Sequence, residues 1–108
     1  MKKRIENYIP SALNALEEVG IVKNGEFPKE YNGYISSFGA SIRQAGLLAT
    51  ILFYNAEESG ATGDRKKIIK AIEKIIDVNN LQNHLDKKAQ IEDAAVALKL
   101  AIRTFKKV

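Results

Sequence analysis

The amino-acid sequence predicts an all-α protein, a compact bundle of four to five helices around one central apolar helix. Apolar residues recur at helical spacing in several segments, and no segment alternates convincingly between apolar and polar residues. The stretch 38–54 is apolar on nearly every side, as helices in a core or a membrane are. Its uncharged run, 45–55, is too short for a bilayer, which needs about 20 apolar residues. We therefore expect 38–54 to be the central, buried helix.

Within this stretch the apolar residues divide into two sets. One set falls at helical spacing and makes a first apolar face: Ile42, Ala45, Ala49, Leu52 and Phe53. The other makes most of the opposite side apolar: Leu47, Leu48, Ile51 and Tyr54. The sequence predicts burial of both.

The first helix is predicted over residues 3–19. Pro10 lies inside it and lacks a backbone donor, so we expect a kink or short break there. Gly20 follows as the C-terminal cap.

Residues 21–29 are predicted to form a loop that turns at Asn24 and Gly25. A second helix begins near Glu30, and we expect a bend at Gly39 before the central helix.

The C-terminal part holds two more predicted helices. Glu57 and Glu58 close the central helix, and a loop spans 59–63. Asp64 is the predicted N-cap of a helix over 65–77. A polar connection, 78–86, leads to the last helix, 87–106.

Length and composition limit the class of protein. The chain has 108 residues, so we expect a single domain over residues 1–108. It has no cysteine, which excludes disulfides and thiolate chemistry. The basic start, MKKRIENYIP, is not followed by an apolar stretch, so we expect a cytoplasmic protein with no membrane partner.

The sequence argues against an enzyme. His84 is the one histidine, and a lone histidine in a polar connection is more often a loop residue than a general base. Paired acidic residues are adjacent in sequence and so fan out around their helices, and the loop at 59–63 lacks the ending of a phosphate-binding loop. We therefore expect no catalytic residue, no metal site and no cofactor.

Arg43 is the one charge within the central stretch, with small residues on either side of it. It has two interpretations: an ion pair with an acidic residue such as Glu57 or Glu58, or direct contact with a ligand.

Basic residues are the stronger indication of function. The net charge is +4, and residues 64–108 carry eleven Lys and Arg against six Asp and Glu. Three clusters fall at the starts of predicted helices, at 2–4, 65–67 and 87–88. The helix macrodipole disfavours cations there, whereas free N–H groups at helix starts suit phosphate. A final group shares one face of the last predicted helix: Lys99, Arg103, Lys106 and Lys107.

The central stretch and the helix before it also carry a family resemblance. The residues concerned are Tyr31, Tyr34, Ile42, Gly46, Leu47, Leu52, Phe53 and Tyr54. In this pattern, Ile-x-x-x-Gly-Leu followed by a small aromatic cluster, the chain resembles the small subunit of the type III-B CRISPR (Cmr) effector complex. The specific motif covers about a quarter of the chain, whereas length and helix order agree throughout.

The resemblance implies a non-catalytic all-helical subunit in antiviral defence. Its copies stack beside the backbone and large subunits and help to hold guide RNA and target RNA. Because few exposed aromatic residues are expected, such binding would read RNA backbone by charge and shape rather than by sequence. The residues predicted to contact RNA backbone are Lys66, Lys67, Lys70, Lys87, Lys88, Lys99 and Arg103.

Three alternatives remain at this stage. Any single lysine in these clusters is as readily explained by a solvated surface. The second alternative is that the chain is a helical adaptor or homo-oligomer that binds only protein. The third alternative, a DNA-binding helix-turn-helix protein, has weaker support. The connection before the last helix has about ten residues, which is longer than the short turn of that motif.

Overall fold

The computed structural model describes residues 2–56 and 64–108. These residues form five α-helices: α1 (Lys2–Glu18), α2 (Glu30–Ala45), α3 (Leu47–Asn55), α4 (Asp64–Ile76) and α5 (Lys88–Ile102). The predicted all-α fold is confirmed. The predicted helix end and loop at 57–63 lie outside the described residues. Within the described ranges, no helix combines the length and apolar character needed to cross a membrane.

α1 runs through Pro10 without interruption, so the predicted short break is wrong. Proline removes one backbone donor, which leaves the carbonyl of Glu6 without its helical partner. Both residues are exposed, so water can satisfy that carbonyl. α1 ends at Glu18, and Gly20 terminates it as predicted: it has a φ of 84°, and its N–H donates to the carbonyl of Glu17 over 3.1 Å.

The loop after α1 is joined to the C-terminus by a pair of two-residue strands. Asn24 and Gly25 form the expected turn, with φ values of 55° and 76°. Strand β1 (Glu26–Phe27) then pairs in parallel with β2 (Lys106–Lys107). No strand was predicted, because two residues are too few for an alternating pattern to show.

This pairing corrects the end of the last helix. α5 ends at Ile102, not at residue 106, and the chain turns so that β2 can reach β1. Lys106 and Lys107 therefore do not continue the helical face of Lys99 and Arg103, and that part of the prediction is wrong.

The stretch 38–54 is two helices rather than one. Gly39 lies inside α2, whereas Gly46 separates α2 from α3 with a φ of 95° and a ψ of 162°. Residues that carry a β-carbon scarcely enter this region of the backbone map. The expected bend at Gly39 is therefore wrong, and the break lies at Gly46.

The break also decides which apolar set is buried. α2 buries Phe38 and Ile42, but after Gly46 the inward residues of α3 are Leu47, Thr50, Ile51 and Tyr54. Leu48, Ala49, Leu52 and Phe53 are exposed. The prediction that the stretch is buried on all sides is wrong for α3, because the bundle covers only one of its sides.

α5 shares the centre of the bundle, where it contacts α1, α2 and α4. Its buried residues include many alanines: Ile91, Asp93, Ala94, Ala95, Ala97, Leu98, Ala101 and Ile102. Two 3-10 turns precede it in the polar connection, Leu81–Asn83 and Leu85–Lys87, and Leu81 is fully buried there.

The backbone geometry predicts opposite effects of alanine at the two glycines. Gly46→Ala should lower the free energy of unfolding by about 1–3 kcal/mol, because alanine is strained at a φ of 95°. Gly39→Ala should raise it by about 0.5–1 kcal/mol, because Gly39 is helical and no atom lies within 4 Å of an added β-carbon. Urea denaturation followed by circular dichroism measures both. Equal effects at the two positions would contradict the placement of the break.

Candidate functional site

The lysines predicted on α4 lie on its outward side, but they differ in environment. Lys70 is exposed, whereas Lys66 and Lys67 are half-buried. A β-carbon placed on Gly20 would lie 3.8 Å from the Nζ of Lys67. The Lys67 ammonium is thus beside the C-terminal end of α1, where the helix macrodipole favours a cation. Lys67 therefore has a structural role available to it, and Lys70 is the most accessible of the three.

Lys74 continues the same side of α4 but is paired. Its Nζ lies 3.0 Å from a carboxylate oxygen of Glu18 in α1. Both side chains are about half exposed, so the pair adds little stability. It does reduce the positive charge at this end of the α4 surface.

Three exposed cations lie on one side of α5 and of the residue that caps it: Lys88 and Lys99 in the helix, and Arg103 directly after its end. Lys88, Lys99 and Arg103 are spaced so that they follow one another along the outer surface, and Glu92 lies among them. We call Lys88, Lys99 and Arg103 the basic α5 face. Lys87 precedes it in a 3-10 turn and is half-buried.

The predicted residues do not converge on one cleft. Lys67 lines a depression beside the β1–β2 pair, Lys70 lines another at the end of α4, and Lys99 lines a groove between α2 and α5. The seven residues predicted to contact RNA are therefore distributed over the surface and do not form one closed pocket.

The groove between α2 and α5 adds Arg43 to the surroundings of Lys99. It has a volume of about 130 Å³, and Ser36, Gly39, Arg43, Glu92 and Lys99 are among its lining residues. Arg43 is exposed. The acidic residues expected to pair with Arg43, Glu57 and Glu58, lie outside the described residues. Sequence spacing gave no sign of the proximity of Arg43 to Lys99, because the two belong to different helices.

Arg4, in the N-terminal basic cluster, forms an ion pair that the sequence did not predict. Arg4 Nε lies 3.5 Å from Oδ2 of Asp93, a buried carboxylate on α5. Buried carboxylates require a partner. Arg4 is therefore explained by the packing of α1 against α5, and phosphate contact is not needed to account for it.

The aromatic residues that carry the resemblance are part of the packing between α2, α3 and α4. The rings of Phe38 and Tyr54 meet edge to face with centroids 5.1 Å apart. Tyr54 Oη donates to the carbonyl of Tyr34 over 2.6 Å, and Tyr31 Oη donates to Oδ1 of Asp64 over 3.0 Å. Tyr31, Tyr34 and Tyr54 thus act in the fold rather than in a binding pocket.

Arg65 completes this cluster from α4. Its guanidinium carbon lies 4.8 Å from the ring centroid of Tyr34 and 5.4 Å from that of Phe53. Such cation–π contacts hold the start of α4 against α2 and α3.

The motif residues and the helix order can be compared with known families. The model of the family described as CRISPR-associated protein (Cas_Cmr5) matches residues 10–104. The chain belongs to this family. The match runs from within α1 to just beyond α5 and includes all seven predicted RNA-contact residues. No curated protein and no solved structure matches the chain significantly.

Membership of the Cas_Cmr5 family makes the chain a CRISPR-associated small subunit, as the resemblance implied. The family is one of accessory subunits. In the ranges that the structure describes, no three His, Asp or Glu side chains are grouped as metal ligands would be. His84 lies between the two 3-10 turns, and its backbone groups bond to Leu81 and Lys87.

The Arg4–Asp93 pair yields a stability prediction. Arg4→Ala should lower the free energy of unfolding by about 1–3 kcal/mol, because it leaves a buried carboxylate without its cation. Adding Asp93→Asn should recover part of this loss. Urea denaturation measures both, and Lys3→Ala, at an exposed neighbouring position, serves as the control. An Arg4→Ala protein as stable as the control would show that the pair is dispensable.

The buried tyrosines predict a loss of stability at high pH. Burial raises the pKa of Tyr54 to about 12, partly offset by the charge of Arg65. Burial and the Asp64 carboxylate also raise the pKa of Tyr31. Since an unfolded tyrosine titrates near 10, the unfolded chain loses its protons first.

Tyr54 should therefore stabilise the fold fully below pH 10 and progressively less between pH 10 and about 12, by up to about 1.4 kcal/mol per pH unit. Urea midpoints at pH 9, 10 and 11 measure the decline. Tyr54→Phe should make it shallower, and an unchanged slope would contradict this origin.

Proposed function

We propose that the chain is the non-catalytic small subunit of a type III-B CRISPR (Cmr) RNA-targeting effector complex. Copies of it would stack along the complex beside the backbone and large subunits, in the cytoplasm, and serve antiviral defence. The observation that supports this most directly is the family match over residues 10–104. The distribution of charge on the exposed sides of α4 and α5 supports the RNA part of the proposal.

The basic α5 face is the best candidate for RNA contact. Its three cations are exposed, and they lie along one side of α5 and its C-terminal cap, while the opposite side of the helix is packed in the core. A phosphate backbone gains from such a row of cations by releasing counterions. The exposed side of α5 carries no aromatic residue, so stacking on bases is not expected there. The contact would be independent of RNA sequence.

The α4 lysines are a second, weaker part of the same proposal. Lys70 is exposed and suited to phosphate, and Lys66 and Lys67 lie about one turn before it in the helix. Lys87 lies directly before the α5 face. Arg43 extends the surface across the groove from Lys99. This arrangement supports a broad, weakly specific RNA surface.

A protein-only adaptor or homo-oligomer remains the second candidate. It is favoured by the exposed apolar side of α3, which includes Leu48, Leu52 and Phe53. In that case the lysines on α4 and α5 would stay solvated and their removal would have little effect on any RNA.

The two candidates are separated by reversing the charge of the basic α5 face. Lys88→Glu, Lys99→Glu and Arg103→Glu, introduced together, should reduce retention of target RNA by a reconstituted Cmr complex about tenfold or more, since each replacement removes a favourable interaction between a cation and a phosphate. The logarithmic salt slope of RNA binding should become shallower by about 0.7 for each single-strand phosphate that the variant no longer neutralises. Filter binding at several salt concentrations measures both quantities.

The control is a triple variant with the same change in net charge, made around the β1–β2 pair and outside α5. Lys23, Lys29 and Lys106 are exposed and lie near the β1–β2 pair. Their replacement by glutamate should change RNA retention much less. An equal decrease in both variants would indicate a general charge effect, and unchanged retention in the α5 variant would favour the adaptor.

A further inference from the structure

The groove between α2 and α5 combines apolar lining residues with charged ones. Ile35 and Ala95 are buried and form its floor, and Val96 is exposed beside them. Arg43 lines the groove from α2 and Lys99 lines it from α5, and both are exposed. A mostly apolar concave surface with a few polar groups around it is the usual composition of a ligand site.

Gly39 also lines this groove, and the fold does not require a glycine there. Its backbone is helical, within α2, and no atom lies within 4 Å of a β-carbon added to it. A glycine inside a helix lowers stability by about 0.5–1 kcal/mol relative to alanine. The missing side chain at position 39 therefore leaves the groove open although the fold would be more stable with it closed.

A carboxylate lines the groove together with the two cations. Glu92 is half-buried, and it lies on α5 between Lys88 and Lys99. Within the described residues, none of Arg43, Glu92 and Lys99 forms an ion pair. A carboxylate inside a row of phosphate-binding cations repels a phosphate and lowers its affinity. The groove is therefore suited to a ligand that brings a hydrogen-bond donor to Glu92 as well as a phosphate to the cations.

The sugar–phosphate chain of RNA meets both requirements. Its phosphates are anionic, and its one hydrogen-bond donor is the ribose 2′-hydroxyl, which DNA lacks. Carboxylates bind ribose hydroxyls in this way in dinucleotide-binding proteins. A peptide meets the same requirements only where a carboxylate and a donor happen to follow one another at the right spacing, whereas every RNA nucleotide carries both groups. The charges of the groove thus favour RNA over a protein segment.

We propose that the groove between α2 and α5 binds a ribose–phosphate unit of RNA and distinguishes it from DNA. Glu92 accepts a hydrogen bond from the 2′-hydroxyl, while Lys99 and Arg43 contact the phosphates. Gly39 leaves room for the sugar. Glu92 is thus a specificity-determining residue within the proposed RNA surface. The inference rests on the proposed function, because it requires RNA to reach α5.

The test is direct binding of the full chain to single-stranded oligouridine, compared with the same oligomer carrying fluorine in place of each 2′-hydroxyl. Fluorine keeps the RNA-like sugar conformation but cannot donate a hydrogen bond. The wild type should bind the ribose oligomer about fivefold more tightly, because the fluorinated one loses a hydrogen bond to a charged acceptor. Fluorescence polarisation measures both affinities. Both probes carry uracil, so contacts with the base contribute equally to them.

Replacing the carboxylate tests its role in this preference. Glu92→Ala should bring the ratio of the two affinities close to one, and it should strengthen binding of the fluorinated oligomer, because it removes a negative charge from a basic surface. The matched control is Glu17→Ala, which removes an exposed carboxylate from α1 and should keep the wild-type ratio. A merely structural role of Glu92 would change both affinities alike, and an unaltered ratio would overturn the inference.

Filling the groove separates ligand binding from stability. Gly39→Leu should bind oligouridine severalfold more weakly and lose the preference for ribose, because leucine occupies the space of the sugar. Its thermal midpoint should be no lower than that of the wild type, because leucine is the better helix former. The matched control is Gly33→Leu, at an exposed position of α2 outside the groove, which should bind as the wild type does.

The outcomes separate this inference from the proposed function. Equal binding of the two oligomers by the wild type, or binding of neither, would overturn the inference, although loss of RNA retention on charge reversal of the basic α5 face would still support the proposed function. If that charge reversal leaves retention unchanged, the RNA part of the proposed function fails and the inference fails with it. If Gly39→Leu prevents incorporation into a Cmr complex assembled without RNA, the occupant is a protein segment, which also overturns the inference.

Discussion

The conformation of Gly46 sets the relation between α2 and α3, on which much of the molecule depends. With a φ of 95° and a ψ of 162°, this residue ends one helix and begins the next without an intervening loop. The carbonyl of Gly46 accepts hydrogen bonds from both the N–H and the hydroxyl of Thr50, at 3.2 and 2.9 Å. The Thr50 hydroxyl also lies 2.7 Å from that of Ser41 in α2. Partly buried polar contacts thus fix the break from both sides.

The change of direction at Gly46 shifts the buried stripe around the helix axis. In one continuous helix, Ala49 and Phe53 would follow Ile42 towards the core. In the structure, Ile51 and Tyr54 take that place, and Tyr54 can then reach the carbonyl of Tyr34. The same shift leaves the other apolar side of α3 on the outside. The packing of the family motif and the exposed apolar side of α3 therefore have one physical origin.

The packing also divides the cations of the chain into two groups. Arg4, Lys67 and Lys74 are accounted for by a buried carboxylate, a helix end and an exposed ion pair. Packing does not account in this way for Lys88 of the basic α5 face. Lys88 is at the start of its helix, where the macrodipole disfavours a cation. Lys99 and Arg103 are at the favourable end, so their position alone is weaker support for RNA contact.

The basic α5 face and the exposed apolar side of α3 belong to different helices and would use different physical interactions. The proposed RNA contact on α5 would depend on charge and on salt concentration, whereas protein contact through the exposed apolar side of α3 would depend chiefly on apolar burial. A subunit that joins RNA and protein in one complex needs both kinds of surface. Their separation means that variants of one surface leave the other intact, so each role is open to independent measurement.

The sequence by itself determined the features that depend on neighbouring residues. Helical spacing predicted an all-α bundle of four to five helices, Gly20 and the Asn24–Gly25 turn were placed correctly, and the motif from Tyr31 to Tyr54 identified the family. These depend on local backbone preferences and on the order of side chains, which the sequence contains directly.

The tertiary structure decided the features that depend on residues far apart in the chain. Either Gly39 or Gly46 permits a bend, and only packing of the following apolar residues against the bundle selects Gly46. The end of α5 is determined by pairing of β2 with β1, and the partner of Arg4 by the approach of α1 to α5. The same holds for the proximity of Arg43 to Lys99 and for the exposure of one apolar side of α3, because a periodic pattern shows that a side is apolar but not whether another element covers it.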